Sequence, residues 1–284
     1  MIVSVVDDNE APVTGLGPTD FNIYENGSAR EVIHVEPAGA NRQISLLVDT
    51  SRAASHAIAD FRQGLTNFVA GMHEGNEISL ITFGGPPRVR VASTTNTRRL
   101  NDGIGKLFAL SDQAAYMLDA IDQTASGFSR RAAARPIMVV LMTEGLDHSN
   151  SNARRVLERI NESGAAVYTL FLRLGRNAFS ERTSISAFDL RQQEFSSISI
   201  FALRQQESER DLVLDRGPKN SGGHHRDLLA SLSVEPALDK IVKELRNQYL
   251  VVYSRPDSLI PADDITVKVD QEGLTARGTP LRTE

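Results

Sequence analysis

The stretch Ile44-Ser-Leu-Leu-Val-Asp-Thr-Ser51 passes from a mostly apolar run to three polar residues. A short apolar run bounded in this way predicts a buried strand that ends just before Asp49. Residues 54–72 follow with apolar side chains at helical spacing, and this pattern stops near Gly75. A buried strand followed directly by an amphipathic helix is the repeating unit of an α/β protein.

The same alternation continues along the chain. Residues 137–142, Ile-Met-Val-Val-Leu-Met, form its most apolar run. A helical pattern at 153–161 and another apolar run at 165–172 come next. The closely spaced strand patterns at 77–83 and 88–91 predict one antiparallel edge strand. We therefore predict a Rossmann-like α/β domain, with a mostly parallel central sheet flanked by helices on both faces.

The two ends of the chain have a different pattern. Residues 1–40 and 255–284 predict β segments that pack together as a small satellite, because neither carries enough apolar surface to be stable alone. The α/β domain is expected to occupy residues 41–254. Within it, residues 173–220 interrupt the alternation of strand and helix and are predicted to form a polar surface insertion.

The alternating pattern returns after the predicted insertion. Residues 236–246 predict a helix, and Tyr249-Leu-Val-Val-Tyr253 predicts a strand that still belongs to the α/β domain. Residues 265–269 and 274–277 predict a terminal pair of strands.

Composition excludes several classes of protein. Hydrophobic residues make up 40% of the 284 residues and charged residues 24%, which is typical of a globular protein. The net charge of −5 argues against nucleic acid or an anionic membrane as the main partner, since both require a basic face. The absence of cysteine excludes disulfides and thiolate metal sites. No apolar run approaches the roughly 20 residues that span a bilayer, and no export signal is expected at the first residues.

Three motifs, in order, carry a resemblance to a known family. The strand and loop Leu46-Leu-Val-Asp-Thr-Ser51 resemble those of von Willebrand factor type A domains. The preceding β segment, Pro12-Val-Thr-Gly-Leu16 followed by Asp20-Phe-Asn-Ile-Tyr-Glu-Asn-Gly27, is similar to a segment of bacterial VWFA-related proteins. The later Lys243-Glu-Leu-Arg-Asn-Gln-Tyr-Leu-Val-Val-Tyr253 is similar to the segment with which those proteins close. The resemblance implies a non-enzymatic module that binds a protein partner. It also implies an extracytoplasmic location, either secreted or in the cell envelope.

Members of this family use the carboxyl end of the sheet for a metal-ion-dependent adhesion site (MIDAS). Such a site holds a hard divalent cation, usually Mg²⁺, through oxygen ligands in an octahedron. The family pattern supplies an Asp and two Ser from one loop, a Thr from a second and an Asp from a third. On this pattern the metal ligands of the present chain would be Asp49, Ser51 and Glu144.

The chain departs from the family pattern at several of these positions. The second Ser falls on Ala53 and the Thr on Ala115, a little before Asp119, and neither alanine offers an oxygen ligand. The third Asp falls on Glu144, which is one methylene longer. Mg²⁺ demands near-ideal geometry and gives up its waters reluctantly. We therefore expect a degenerate site, no required cofactor, and Asp49 and Ser51 capping the following helix; Mg²⁺ binding is the alternative.

Binding is expected at the rim where the parallel strands end, since ligands of open α/β sheets gather there. We define the rim as the loops 49–55, 110–116 and 143–151. The side chains expected to line it are Ser51, Arg52, His56, Glu144, Asp147 and His148.

Three function classes stay open. The first is a metal-independent binding module and the second is a Mg²⁺-dependent adhesion module. The third is a hydrolase or phosphotransferase that uses Asp49 as its nucleophile, although Ser51 stands where such chemistry needs a second acid. A dinucleotide site lacks its glycine-rich turn after residue 49, and a serine hydrolase lacks its Gly-x-Ser-x-Gly elbow.

Three arginines lie between a predicted helix and the buried strand at 137–142. Arg130, Arg131 and Arg135 are interpreted as a solvated connection. The alternative is that they orient the domain against an acidic partner. The sequence alone does not separate these two interpretations.

Overall fold

The structure is a computed structural model that describes residues 1–145, 147–173, 197–255 and 265–279. Residues 174–196 of the predicted insertion lie outside the described residues. Among the described residues, no helix is both long and apolar enough to cross a membrane.

The described chain contains strands at both ends and alternating strands and helices between them. In chain order, the strands are β1 (Ile2–Asp7), β2 (Phe21–Glu25), β3 (Ser28–Arg30), β4 (Val32–Pro37), β5 (Gln43–Val48), β6 (Glu77–Thr82), β7 (Arg88–Thr94), β8 (Pro136–Thr143), β9 (Ala166–Leu172), β10 (His225–Leu228), β11 (Tyr249–Tyr253), β12 (Ile265–Val269) and β13 (Leu274–Thr279). The α-helices are α1 (Ile58–Met72), α2 (Thr97–Gly105), α3 (Met117–Arg130), α4 (Ala153–Ser163), α5 (Ser197–Ser221) and α6 (Val234–Arg246).

The central sheet has six strands in the order β10-β9-β8-β5-β6-β7. All neighbouring pairs are parallel except β6 and β7, which are antiparallel. Since β7 lies at the end of this order, the predicted antiparallel edge strand is confirmed, and so is the mostly parallel α/β fold.

Helices cover both faces of the central sheet, and successive side chains of each strand enter opposite cores. Leu46 and Val139 pack with α1, α2 and α6 on one face. Leu47 and Val140 pack with α3, α4 and α5 on the other. This double covering explains why the central strands read as continuous apolar runs rather than as alternating ones.

The terminal segments form two small sheets beside the central one, with orders β13-β1-β11-β4 and β12-β2-β3. They share a third core that includes Val3, Phe21, Val251 and Val267. The predicted packing of the chain's two ends against each other is therefore present.

Two expectations about the terminal strands need correction. Tyr249–Tyr253 was placed in the α/β domain, but β11 pairs with β1 and β4 in the terminal sheet. The predicted β12–β13 pair does not form: β12 pairs with β2, and β13 pairs with β1. Alternating apolar residues indicate a strand, but they do not select its partner. The proposed divisions after residues 40 and 254 stay a prediction.

The predicted polar insertion also needs correction where the structure describes it. Residues 197–221 form α5, and Val213 and Leu214 are buried in the core shared with α3 and α4. This helix was missed because it carries few apolar residues and contains Pro218 within its length. It covers part of the central sheet instead of extending into solvent.

Candidate functional site

The rim is built around Asp49, the first residue after β5. Its carboxylate is fully buried, with 0% of the residue exposed. Oδ1 accepts a hydrogen bond from the Ser51 amide at 2.8 Å, and Oδ2 accepts from the amide and the hydroxyl of Thr143 at 3.1 and 2.5 Å. Because Thr143 ends the neighbouring strand β8, Asp49 joins the ends of two parallel strands.

A second carboxylate, that of Asp147, lies within the third rim loop. Asp147 is 2% exposed, and it accepts hydrogen bonds from the Met117 amide at 3.1 Å and the Ser149 amide at 2.8 Å. The Met117 bond satisfies an amide in the first turn of α3, where helical partners are absent. Asp147 therefore holds the start of α3 against this loop.

A third carboxylate continues the same network. Asp119, in the first turn of α3, accepts hydrogen bonds from the amides of Asn150 and Ser151. Its own amide donates to the Ser149 hydroxyl at 3.1 Å. Asp49, Asp147 and Asp119 thus each accept hydrogen bonds from backbone N–H groups of the loops that surround them.

Burial dominates the protonation of the two innermost acids. It raises the pKa of Asp49, against the opposing effect of the hydrogen bonds from Thr143 and Ser51. It likewise raises the pKa of Asp147, against the hydrogen bonds from Ser149 and Met117 and the charge of Arg210. Both carboxyls therefore hold their protons more strongly than exposed aspartates do.

The oxygen donors around Asp49 differ from the set that the family pattern would give a divalent cation. An ionised carboxylate offers about four lone-pair positions, and Asp49 already accepts three hydrogen bonds from its own chain. Ala53 and Ala115 supply no hydroxyl. Ala53 also packs closely against Gly145, because a Cβ built on Gly145 would lie only 2.9 Å from the Cβ of Ala53. No group of three or more His, Asp or Glu side chains among the described residues is arranged to hold a metal ion.

Glu144, the remaining predicted ligand, directly follows Thr143. Its amide donates to the Leu172 carbonyl at 2.8 Å, and the residue is only partly buried. Asp49 and Glu144 therefore follow neighbouring parallel strands, as the sequence analysis expected.

Apart from the partly buried Glu144, the predicted rim residues fall into two groups. Ser51 and Asp147 are each 2% exposed, so they support the loops and do not offer side chains to a partner. Arg52, His56 and His148 are exposed. The Arg52 amide donates to the Gln113 carbonyl at 3.0 Å, and the His148 ring lies edge-on to Tyr116 at 6.3 Å. Accessible rim chemistry among these residues is thus cationic and aromatic.

Sequence reasoning missed the contact that joins β6 to the rim. The Gly84 amide donates to the Thr50 hydroxyl at 3.2 Å, and a Cβ on Gly84 would lie 2.1 Å from the Thr50 carbonyl carbon. Only glycine permits this approach of two backbones. The Gly84-Gly85 pair is the signal in the sequence that could have indicated this contact.

The sequence analysis also missed the support from α5. Arg210 is 5% exposed and donates from Nη1 to the Gly145 carbonyl at 2.8 Å. Gln206 donates to the Ser149 carbonyl at 2.9 Å, and Glu209 accepts from the amide of Ala153, the first residue of α4. Three side chains on one side of α5 therefore fix the third rim loop and the start of α4.

Three comparisons with known proteins place these observations in context. The profile of the von Willebrand factor type A domain matches residues 42–184. No curated protein sequence matches the chain.

Several solved structures share the fold. Proximal thread matrix protein 1 from the mussel byssus, solved with a zinc-occupied MIDAS motif, is 9% identical over 78% of this chain and 50% of its own, with a TM-score of 0.53. The human COPII-coat protein Sec24c is 6% identical over 73% of this chain and 32% of its own, with a TM-score of 0.50. A von Willebrand factor type A protein from Catenulispora acidiphila is 11% identical over 86% and 49%, with a TM-score of 0.47. This chain thus spans half or less of each of these proteins.

Proposed function

The chain belongs to the von Willebrand factor type A domain family, and on this premise we propose that it is a non-enzymatic module that binds a protein partner at the rim without a metal ion. The observation that carries the proposal is the hydrogen bonding of the Asp49 carboxylate. All three of its hydrogen bonds come from its own chain, while Arg52, His56 and His148 stay exposed nearby.

Metal independence follows from the geometry of the donors. In a MIDAS-type site the acidic and hydroxyl oxygens face a cation, and one coordination position is left for the partner's carboxylate. Here Ala53 and Ala115 leave two of those positions without an oxygen ligand. A partner is therefore expected to recognise side chains such as Arg52 and His148 directly, and an acidic surface suits the arginine.

The first test is the thermal stability of the protein with 5 mM Mg²⁺, Mn²⁺ or Zn²⁺, each compared with EDTA. A ligand at a hundred times its Kd would stabilise the fold by about 2.7 kcal/mol, which corresponds to a few degrees in Tm. We expect no shift. A reproducible rise with Mg²⁺ that disappears in Asp49→Asn would establish the metal-dependent alternative.

The second test examines the rim itself by capture of partners from an extract of the producing organism. We expect Arg52→Glu combined with His148→Glu to abolish a capture that survives EDTA. The matched control is Lys243→Glu on α6, an exposed residue near the opposite end of the sheet, where Arg42 at the start of β5 donates to the Leu245 carbonyl. Equal capture by both variants, or capture that requires Mg²⁺, would contradict the proposal.

The absence of catalysis is part of the same proposal. A nucleophilic Asp49 would have to reach substrate, yet the residue is fully buried. We expect no turnover of generic phosphate esters such as p-nitrophenyl phosphate. Turnover that is abolished by Asp49→Asn would support the hydrolase or phosphotransferase alternative instead.

We also propose an extracytoplasmic location and a protein partner, not nucleic acid. The location rests on the resemblance to bacterial VWFA-related proteins, and the choice of partner rests on the net charge of −5. Fractionation of cells that produce the native gene product tests the location. Recovery in the cytoplasm alone would contradict it.

A further inference from the structure

A groove separate from the rim lies between α3 and β7, on the face of the central sheet that α3, α4 and α5 cover. Its volume is about 660 Å³, and none of the rim side chains proposed above lines it. The groove exists because α3 packs over β5 and β8, while β6 and β7 extend beyond it. The helix that packs on β6 and β7 is α2, which belongs to the core of the opposite face.

Four arginines line this groove: Arg88 on β7, Arg130 and Arg131 at the end of α3, and Arg155 on α4. We call it the arginine groove. Arg155 forms an ion pair with Asp122 at 2.9 Å. Within the described residues, Arg88, Arg130 and Arg131 have no carboxylate at ion-pair distance, and Arg131 only stacks on the Phe128 ring at 5.7 Å. An uncompensated positive charge therefore lines one groove of a chain whose net charge is −5.

Among the described residues that line the groove, Asp122 is the one acidic residue, and it is already paired with arginine. The side chain of Asp122 is 8% exposed and lies between Arg155 and Arg159, at 2.9 and 3.8 Å. It would therefore not repel an incoming carboxylate. The groove thus favours an anionic ligand over a cationic one.

The remaining lining residues indicate the shape of that ligand. Ser45 and Ser79 form a hydroxyl pair at 2.9 Å, while Ile81 and Val89 add an apolar strip. Val89 is 65% exposed, although it lies in a strand. Within the described chain, β7 ends the order of the sheet and pairs only with β6. Its outer edge therefore leaves unpaired backbone groups that an extended peptide can use.

We propose that the arginine groove binds an extended acidic segment of a protein partner, which pairs with the outer edge of β7 and directs its carboxylates to Arg88, Arg130 and Arg131. Arginine suits this role because its planar guanidinium binds carboxylates in a bidentate manner. A single-stranded nucleic acid is the less favoured ligand. None of the described residues lining the groove is aromatic, whereas binding of single strands relies on stacking of bases on aromatic rings.

This inference divides the three arginines that the sequence analysis considered together. Arg135 donates to the carbonyls of Gly39 and Ala40 and to the side chain of Gln248, so it is a structural connection. Arg130 and Arg131 line the groove. The proposal therefore assigns to Arg130 and Arg131 the second interpretation, contact with an acidic partner.

The probe is a fluorescein-labelled peptide of twelve residues in which Glu alternates with Val or Thr, followed by fluorescence anisotropy with the full chain. We expect binding that weakens as salt is raised. Arg88→Glu combined with Arg131→Glu should weaken it at least tenfold. The matched control is Arg98→Glu combined with Arg99→Glu on α2, which makes the same charge change at exposed residues outside the groove.

Two further measurements locate the peptide. Hydrogen exchange should slow at alternate amides of β7 in the complex, and a peptide with methylated alternate amides should bind at least tenfold more weakly because it cannot pair. The proposal is overturned by equal binding of a peptide with Lys in place of Glu, by equal losses in the groove and control variants, or by protection elsewhere than β7. Tighter binding of a twelve-residue thymidine oligonucleotide at the same arginines would also overturn it, in favour of nucleic acid.

Discussion

The rim and the arginine groove use charge in opposite ways. At the rim, the carboxylates of Asp49 and Asp147 are buried and accept hydrogen bonds from backbone amides of their own chain. In the groove, Arg88 and Arg130 are exposed and no described carboxylate pairs with them. An acidic residue just after a strand, such as Asp49, can thus accept hydrogen bonds from its own chain alone among the described residues. The same kind of charge left uncompensated on the surface is a better indication of a partner.

The largest effect is expected from Asp49→Ala. This change leaves two amides and one hydroxyl without their acceptor in the interior, and each such loss costs about 1–3 kcal/mol. We expect the free energy of unfolding to fall by about 3–5 kcal/mol, measured by urea denaturation. Asp112→Ala, an exposed residue of the neighbouring rim loop, is the control and should change stability by less than about 0.5 kcal/mol. Comparable small losses in both variants would remove the structural role of Asp49.

The next largest effect is the contribution of Asp147 to the pH dependence of stability. Burial raises the pKa of Asp147 in the folded protein, while the unfolded chain has a value of about 3.9. Between these values the folded protein keeps a proton that the unfolded chain has released, so stability decreases as pH rises through that window.

Asp147→Asn removes this titration. The stability of the wild type relative to the variant should therefore be highest at low pH and should fall as the pH is raised above about 4. Urea denaturation of both proteins in parallel between pH 3 and pH 8 measures the difference. A constant difference would show that the hydrogen bonds from Ser149 and Met117 balance burial, and a difference that grows with pH would show that they outweigh it.

A smaller effect is expected at the helix that supports the rim. Arg210→Leu removes the hydrogen bond to the Gly145 carbonyl but keeps an apolar side chain near the Phe171 ring, which lies 5.4 Å from the guanidinium. A loss of about 1–3 kcal/mol is expected, since the Gly145 carbonyl is left without this donor. Arg216→Leu, exposed on the same helix, is the control. If the two variants unfold alike, α5 does not stabilise the rim.

Much of the fold could be predicted from the sequence, because a strand that is buried on both faces reads as a continuous apolar run. The runs around Leu46 and Val139 indicate central strands, and the change to polar residues at Asp49 marks the end of one of them. The sequence pattern does not show which strands pair across long sequence distances. The partners of β11, β12 and β13 are selected by the shared terminal core, which no local pattern describes.

The site was predictable in position but not in its chemistry. Asp49 and Glu144 do follow neighbouring strands, yet the partner that decides the role of Asp49 is Thr143, an apparently ordinary residue at the end of β8. Arg210 was missed because, where burial is described, α5 places many exposed polar residues around the buried Val213 and Leu214. Hydrogen-bond partners depend on how the elements pack in three dimensions. An aspartate that holds a loop and one that binds a metal therefore look alike in sequence.

The smallest effect on stability is expected in the arginine groove. This effect tests most directly whether the groove arginines differ from the rim carboxylates. Arg88→Glu combined with Arg131→Glu should change the free energy of unfolding by no more than about 0.5 kcal/mol, because exposed charges without partners contribute little to folding. Urea denaturation of this variant beside Arg98→Glu combined with Arg99→Glu measures the effect. If the groove variant alone lost more than about 1 kcal/mol, its arginines would be structural like the rim carboxylates. If it kept its stability but bound acidic peptide as the wild type does, the unpaired charge would have no role in binding.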